Sequence, residues 1–475
     1  MRFTIFFLLF SLHSIFVFSQ DSLLLRYRIN GEILPKSIVH SGDGLFAMSN
    51  MTSVHNISFF NRNYEQVAQS YDDVDLSKYD TSHTSMINWG APVNGVFSDY
   101  GKYYWVVNQQ MEGSGFNKAG CESCSGKNYD NSYIYKVNTW NYKVEKVIAV
   151  GAFPKYIAAN DVLKIVVVSN YTSGDIHVIN NKTGQNIKQV NVGKFPCGVA
   201  IHSTAKKIYV ALFGEKRIAV IDMFSWQVSY IENIGNGLRD MRMDEKNNVL
   251  YVTIQEEGKV AKISLTNNKI QYVKVGNQPK ALVLSNDGKS IYVANYGDHT
   301  VMKIKTDSMT VKHKARTAKN PNGITFDDKK GELWVSCNGG EVDVYLDKSA
   351  VKKSTANQYL ASLFGKSKIE KKVERVEPIP EIKEEPKEIK TEKKETRIKL
   401  PEKEAWIAVA GTFRDKENAE QYKNEIHSQG YVSEVIEREN GIYLVTYGSS
   451  TNKQEIEDLV KEVKSYGGDV YITKR

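Results

Sequence analysis

A unit of about 42 residues recurs through the middle of the chain. "VGAFPKYIAANDVLKIVVVSNYTSGDIHVIN" from Val150 is followed by "VGKFPCGVAIHSTAKKIYVALFGEKRIAVID" from Val192. Two further copies begin at Ile234 and Val275, and Gly151, Gly193, Gly235 and Gly276 mark the period. Within each copy, short β-branched and aromatic runs are separated by Asn, Asp and Gly turns, which are strand signals rather than helix signals. Strands repeating at this period are expected of four-stranded propeller blades.

Looser copies extend the array both ways, at "LPKSIVHSGDGLFAMSN", "APVNGVFSDYGKYYWVVN" and "NPNGITFDDKKGELWVSCNGGEVDVYL". Unit starts at Pro35, Pro92, Pro154, Pro196, Leu238, Pro279 and Pro321 predict seven blades. The last unit ends at Leu346 after three strands. "LLLRYRI", Leu23 to Ile29, is expected to supply its fourth and remove an open sheet edge. The run Tyr292-Val293-Ala294-Asn295 with the following "YGDHTV" resembles the YVTN family of propeller repeats. Over residues 20–347 that resemblance implies an all-β, seven-bladed propeller. It implies no reaction, because this fold hosts enzymes and binders alike.

Residues 1–19, "MRFTIFFLLFSLHSIFVFS", have one Arg, an apolar stretch and Val17-Phe18-Ser19 at the end, the layout of a cleavable secretory signal. The stretch is short for a membrane span and is interrupted by Ser11, His13 and Ser14. An exported protein of the periplasm or cell envelope is expected, with no integral membrane span. Export permits disulfides. Cys121 and Cys124 form a CxxC without the following His of c-type haem attachment, and it reads as a local disulfide bracing a Gly-rich loop. Cys197 and Cys337 read as small buried residues at strand positions. The net charge of +8 is mild for 475 residues and is no nucleic-acid footprint.

Propeller ligands gather where the innermost strands begin. Lys36, Lys155 and Lys280 follow a unit-starting Pro, and Arg239 follows Leu238 at the same place. Ring symmetry would bring these four cations to one channel mouth, where their fields add and could hold an anion. The competing reading is a solvated position at which Lys costs little. Blade two carries an insertion, "MEGSGFNKAGCESCSGKNYDNS", which reads as a long loop suited to a lid or partner contact, or as surface decoration. No metal set, nucleophile elbow or phosphate loop is recognisable, and no cofactor is expected.

From 348 to 402 the pattern changes. Tyr359, Leu360, Leu363 and Phe364 lie at helical spacing and suggest a docked helix at the start. Lys, Glu and Pro then dominate, as in a disordered linker whose role is reach.

Residues 403–475 read as a small α+β unit in the order βαββαβ, ferredoxin-like. Asp415 is the expected cap of the first helix and Gly430 its stop, while Asn440-Gly441 marks a hairpin turn. Gly411-Thr412-Phe413, Asn418-Ala419 and Tyr447-Gly448-Ser449 closely resemble the SPOR domain family over residues 406–473. The resemblance implies binding of peptidoglycan, favouring glycan strands stripped of stem peptides, where the wall is remodelled or divided. Trp406, Tyr443 and Tyr447 are candidate sugar-packing aromatics, each also a candidate core residue, with Thr412, Arg414 and Thr446 as donors. Val409 and Leu444 stand where the family often has Gln and Arg, which weakens the expected hydrogen bonding to sugar.

Together these readings describe a non-catalytic envelope protein: a wall-binding unit tethered to a propeller that engages an anionic ligand or an envelope protein. The rival is a lactone or sugar hydrolase on the propeller, anchored at the wall. Converging carboxylates in the channel would favour the rival, and a basic channel would favour binding.

Overall fold

The computed structural model describes residues 22–51, 55–80, 86–350, 405–428, 433–438, 441–465 and 470–474. The expected export signal, most of the expected linker with the helix expected around Tyr359, Gly430 and the Glu439-Asn440 half of the expected hairpin turn lie outside them. The chain divides into two compact units, residues 1–352 and 353–475.

Among the described residues, the first unit contains seven antiparallel sheets: five are built on four consecutive strands, the second in chain order has five, and the last takes in the chain's first strand. Six of their innermost strands begin at the predicted places, and each of the seven lies beside the innermost strands of two neighbouring sheets, the last beside the first. The array is therefore a closed ring of seven blades. In blade two the inner strand starts early, at Ile87, and its extension takes on a fifth short strand, Asp73–Asp75.

Alternation explains where the core sits. Side chains of a strand point to opposite sheet faces in turn. Along the second strand of blade two, Tyr104 and Val106 pack against Leu45 and Phe59 of blade one, whereas Trp105 and Val107 pack against Val166 and Val168 of blade three. The same division recurs round the ring, so an apolar wedge fills each space between blades. Second strands such as Ile165–Asn170 and Val249–Ile254 are buried throughout, while the outer strand Asn186–Asn191 is mostly exposed.

The ring closes as expected at its first strand. Leu23–Ile29 pairs antiparallel with Glu341–Asp347, from Leu23 opposite Asp347 to Ile29 opposite Val342. Two arginines anchor the closing strand on buried carboxylates: Arg26 reaches Glu332 at 2.9 Å, and Arg28 holds Asp343 through two bonds of 2.5 and 3.1 Å. Asp347, at the end of the joint, accepts the Tyr292 hydroxyl at 2.6 Å and lies 2.8 Å from the Lys303 ammonium, so the seam is also tied to blade six.

The second unit is a four-stranded antiparallel sheet in the order Val435–Glu437, Tyr443–Ser450, Trp406–Phe413, Tyr471–Lys474. Helices α1 (Lys416–Ser428) and α2 (Lys453–Ser465) cover one face. The Asp415 carboxylate accepts the Asn418 amide at 3.1 Å and caps α1. Ala419 and Ile426 of α1, and Ile456, Val460 and Val463 of α2, pack on Ala408, Val445 and Tyr447 of the sheet.

Candidate functional site

The channel mouth is built by a backbone device repeated in every blade. In all seven inner strands the pairing with the second strand slips directly after the opening Pro or Leu. Such a bulge leaves its extra residue out of the ladder and re-aims its side chain. In blades three to seven the residue before the opening position is left-handed, with φ of 54° at Phe153, 55° at Phe195, 71° at Gly237, 52° at Gln278 and 56° at Asn320. The residues at the slip include Lys36, Val93, Lys155, Cys197, Arg239, Lys280 and Asn322. Four of those equivalent places are cationic, and all four cations line one cavity of about 420 Å³ along the inner strands.

These charges feel one another. Burial, then repulsion from Arg239, Lys36 and Lys155, lowers Lys280 to about 7, although Glu122 works the other way. Burial and Arg239 likewise lower Lys36. Lys280 Nζ sits 3.4 Å from the centre of the Tyr296 ring, which holds it by a cation–π contact. Burial opposes the Arg239 charge, but Tyr156, then Cys197 and Glu122, hold its pKa up. Asp240, next in sequence, is committed elsewhere: it accepts Arg242 at 2.7 Å and the Leu282 amide at 3.0 Å.

Among the described residues, Lys155 alone of the four has a carboxylate partner, Glu122. That residue comes from the blade-two insertion, between the Cys121 and Cys124 that are joined as a disulfide. The loop docks on blade three. Tyr171 donates its hydroxyl to the Glu122 carbonyl and Thr172 its hydroxyl to the Cys121 carbonyl, both at 3.3 Å, while the Gly126 amide donates to the Thr172 carbonyl at 2.9 Å. Gly120 permits this approach, since a Cβ there would meet Thr172 Oγ1 at 2.7 Å and Phe153 Cβ at 2.8 Å. The Lys155 side chain is only 4% exposed and lies 3.8 Å from the Tyr171 ring centre; Glu122, above it, is 68% exposed. Burial opposes the Glu122 charge, but Lys155, then Arg239 and Lys280, hold its carboxyl below the usual range. Glu122 was not singled out in the sequence, because a carboxylate in a loop gives no sign of where the loop docks. The signal available was the CxxC itself, whose two cysteines fix the intervening residues in a tight turn.

In the second unit the aromatics divide differently. Trp406, Tyr443 and Tyr447 belong to the cluster on the helix face. Tyr447 is 7% exposed, and Trp406 has the Lys453 and Lys474 ammonium groups each 5.2 Å from its ring. Thr446 is buried and its hydroxyl accepts the Glu434 amide at 3.3 Å. Tyr447 thus takes the core alternative that the sequence left open, and the Thr446 hydroxyl, offered by the sequence as a donor to sugar, accepts a bond within the fold. Val409 and Leu444 lie on the other face, buried with Ile407 and beside Ile436 and Ile442. Thr412 and Arg414 are half-buried at the strand end, and Thr412 Oγ1 lies 3.3 Å from the hydroxyl of Tyr471. Tyr471 is opposite Val409 in register and 47% exposed. Sequence reading missed it, though alternation from the buried Val470 would have turned it outward.

Comparison with known proteins agrees with both halves. No match was found among curated proteins. Among solved structures, a chain of Kuenenia stuttgartiensis hydrazine synthase is similar, with a TM-score of 0.52 and 16% identity over 66% of this chain and 96% of that one. A chain of the mitotic checkpoint complex gives 0.54 and 12%, covering 73% and 98%. The WD40 β-propeller domain of Doa1 gives 0.52 and 11%, covering 70% and 98%. At these identities the likeness is one of fold alone. The family model of the SPOR domain matches residues 402–473, so the chain carries a SPOR domain on the C-terminal side of its propeller.

Proposed function

We propose that the chain is an exported, non-catalytic protein of the cell envelope that binds peptidoglycan through its SPOR domain. The favoured target is glycan strands stripped of stem peptides, at sites of wall remodelling or division, while the propeller offers its channel mouth to a ligand or partner. The match of residues 402–473 to a family that binds peptidoglycan carries this reading. One feature of the propeller supports it. The channel mouth gathers four cations and a single loop carboxylate, Glu122, while Asp240 is taken up by Arg242, an arrangement suited to holding an anion rather than to paired acid–base work. Among the described residues, no helix is long and apolar enough to cross a membrane.

Sugar contacts fall to the rim of the sheet rather than its middle, because Val409, Leu444 and Thr446 are buried. Tyr471 would pack on a sugar ring, with Thr412 and Arg414 as donors and Trp406 with its two lysines at the opposite strand end. The test is co-sedimentation of purified peptidoglycan with the full chain and with a chain ending at residue 352. The full chain is expected in the pellet and the shortened chain in the supernatant. Equal pelleting of the two would refute wall binding by the SPOR domain.

A further inference from the structure

Glu122 occupies the channel mouth as a ligand would. Its carboxylate pairs with Lys155 and is felt by Arg239 and Lys280, yet the side chain is 68% exposed while the lysine beneath it is 4% exposed. The group is carried by a loop, not by the rigid inner strands, and a few hydrogen bonds to Tyr171 and Thr172 hold that loop down. Three cations at the same mouth, Lys36, Arg239 and Lys280, have no carboxylate partner among the described residues. Asp240 and Arg242 also line the cavity but pair with each other, which leaves one negative charge, Glu122, facing four positive side chains.

We propose that the channel mouth is a binding site for a small organic dicarboxylate, and that Glu122 is a tethered stand-in which the ligand displaces. This rests on reading the propeller as a ligand-binding element. The occupant already present argues for a carboxylate over other anions: the Lys155 ammonium, itself buried, donates to one carboxylate oxygen of the exposed Glu122. A second carboxylate explains the remaining charge, since one group would take the place of Glu122 while the other reaches Arg239 or Lys280 across the cavity. The cavity of about 420 Å³ admits a molecule of that size. The disulfide between Cys121 and Cys124 keeps Glu122 presented, so the loop competes at high effective concentration. Displacement frees the loop without unfolding a blade.

Calorimetric titration of the full chain with glutarate, and separately with inorganic phosphate, tests this at low salt. Glutarate should bind the wild type, and Glu122→Gln should bind it about tenfold more tightly or better, because a tethered competitor at millimolar effective concentration is gone. Phosphate should bind both more weakly than glutarate. Adding Lys155→Gln to Glu122→Gln should abolish the gain, with Lys280→Gln as a second loss variant should the buried Lys155 change disturb the fold. Equal glutarate affinity in wild type and Glu122→Gln would overturn displacement while leaving an anion site. Phosphate binding as tight as glutarate would overturn the ligand class. Absence of binding for both anions in both proteins would overturn the site and the ligand-binding reading of the channel together, pointing to a protein partner on the propeller. None of these outcomes bears on wall binding, which the pelleting experiment reads separately.

Discussion

Glu122, on an inserted loop of blade two, pairs with Lys155 on the inner strand of blade three. The insertion therefore closes over the neighbouring blade's share of the channel rather than decorating its own. Replacing both Cys121 and Cys124 by Ser should leave the propeller folded, since a disulfide closing so short a loop removes little unfolded-state entropy. The stability loss should stay within about 2 kcal/mol by thermal unfolding. Protease cleavage within 113–131 should become faster, and an unchanged cleavage rate would mean that the hydrogen bonds to Tyr171 and Thr172 alone fix the loop.

Lys280 gives the mouth a pH signature. It faces Lys36, Lys155, Arg239 and Glu122, with Tyr296 against it, and burial with repulsion brings it to about 7 from its ordinary 10.5. Between these values the unfolded chain holds a proton that the folded chain has lost, so stability rises with pH across that window. Below pH 7 both states are protonated and the full cost of the charge is present. Lys280→Met should accordingly be more stable than wild type at pH 6, by about 1 kcal/mol, the usual size of a single-site effect. The difference should fade toward pH 10. A constant difference from pH 6 to 10 in denaturant titrations would contradict this.

The closing strand depends on Arg28. Its guanidinium is 41% exposed, whereas Asp343 is fully buried and also receives the Ala318 amide at 2.7 Å. Arg28→Ala should cost about 2 kcal/mol, less than the ~3–5 of breaking a fully buried pair, because water reaches the arginine side. Urea denaturation should show the loss, and Arg28→Lys should recover only part of it, since one ammonium cannot replace a two-pronged contact.

How much of this was legible depends on whether a feature is set within one repeat or between repeats. The blade count and the closing strand follow from period and alternation, which every copy carries in its own residues. The four channel cations were also readable, because a position after Pro35, Pro154, Leu238 and Pro279 is equivalent by symmetry. The bulge that turns them inward was not, since it is a property of strand pairing. Glu122 was hidden because the docking of its loop on Tyr171 and Thr172 joins residues about fifty positions apart. In the SPOR domain the fold was legible from helix caps and strand alternation. The partition of its aromatics was only partly so: Tyr471 follows alternation, whereas the bulges around Val409 shift the pairing of the two central strands, so the place of Tyr447 on the helix face is a property of that pairing.

That partition separates two tyrosines by experiment. Tyr447→Ala should destabilise the SPOR domain by about 3 kcal/mol, as for other buried aromatic truncations. Tyr471→Ala should leave stability within about 0.5 kcal/mol. It should weaken peptidoglycan binding about tenfold, the worth of one sugar-stacking contact near 1.4 kcal/mol. Undiminished pelleting of Tyr471→Ala would remove that residue from the glycan site.

The most direct measurement is the fraction of full chain that pellets with peptidoglycan before and after an amidase removes the stem peptides. The account predicts that pelleting rises with stripping, because bare glycan is the favoured target. Pelleting that falls on stripping, or none with either preparation, would contradict wall targeting through the SPOR domain.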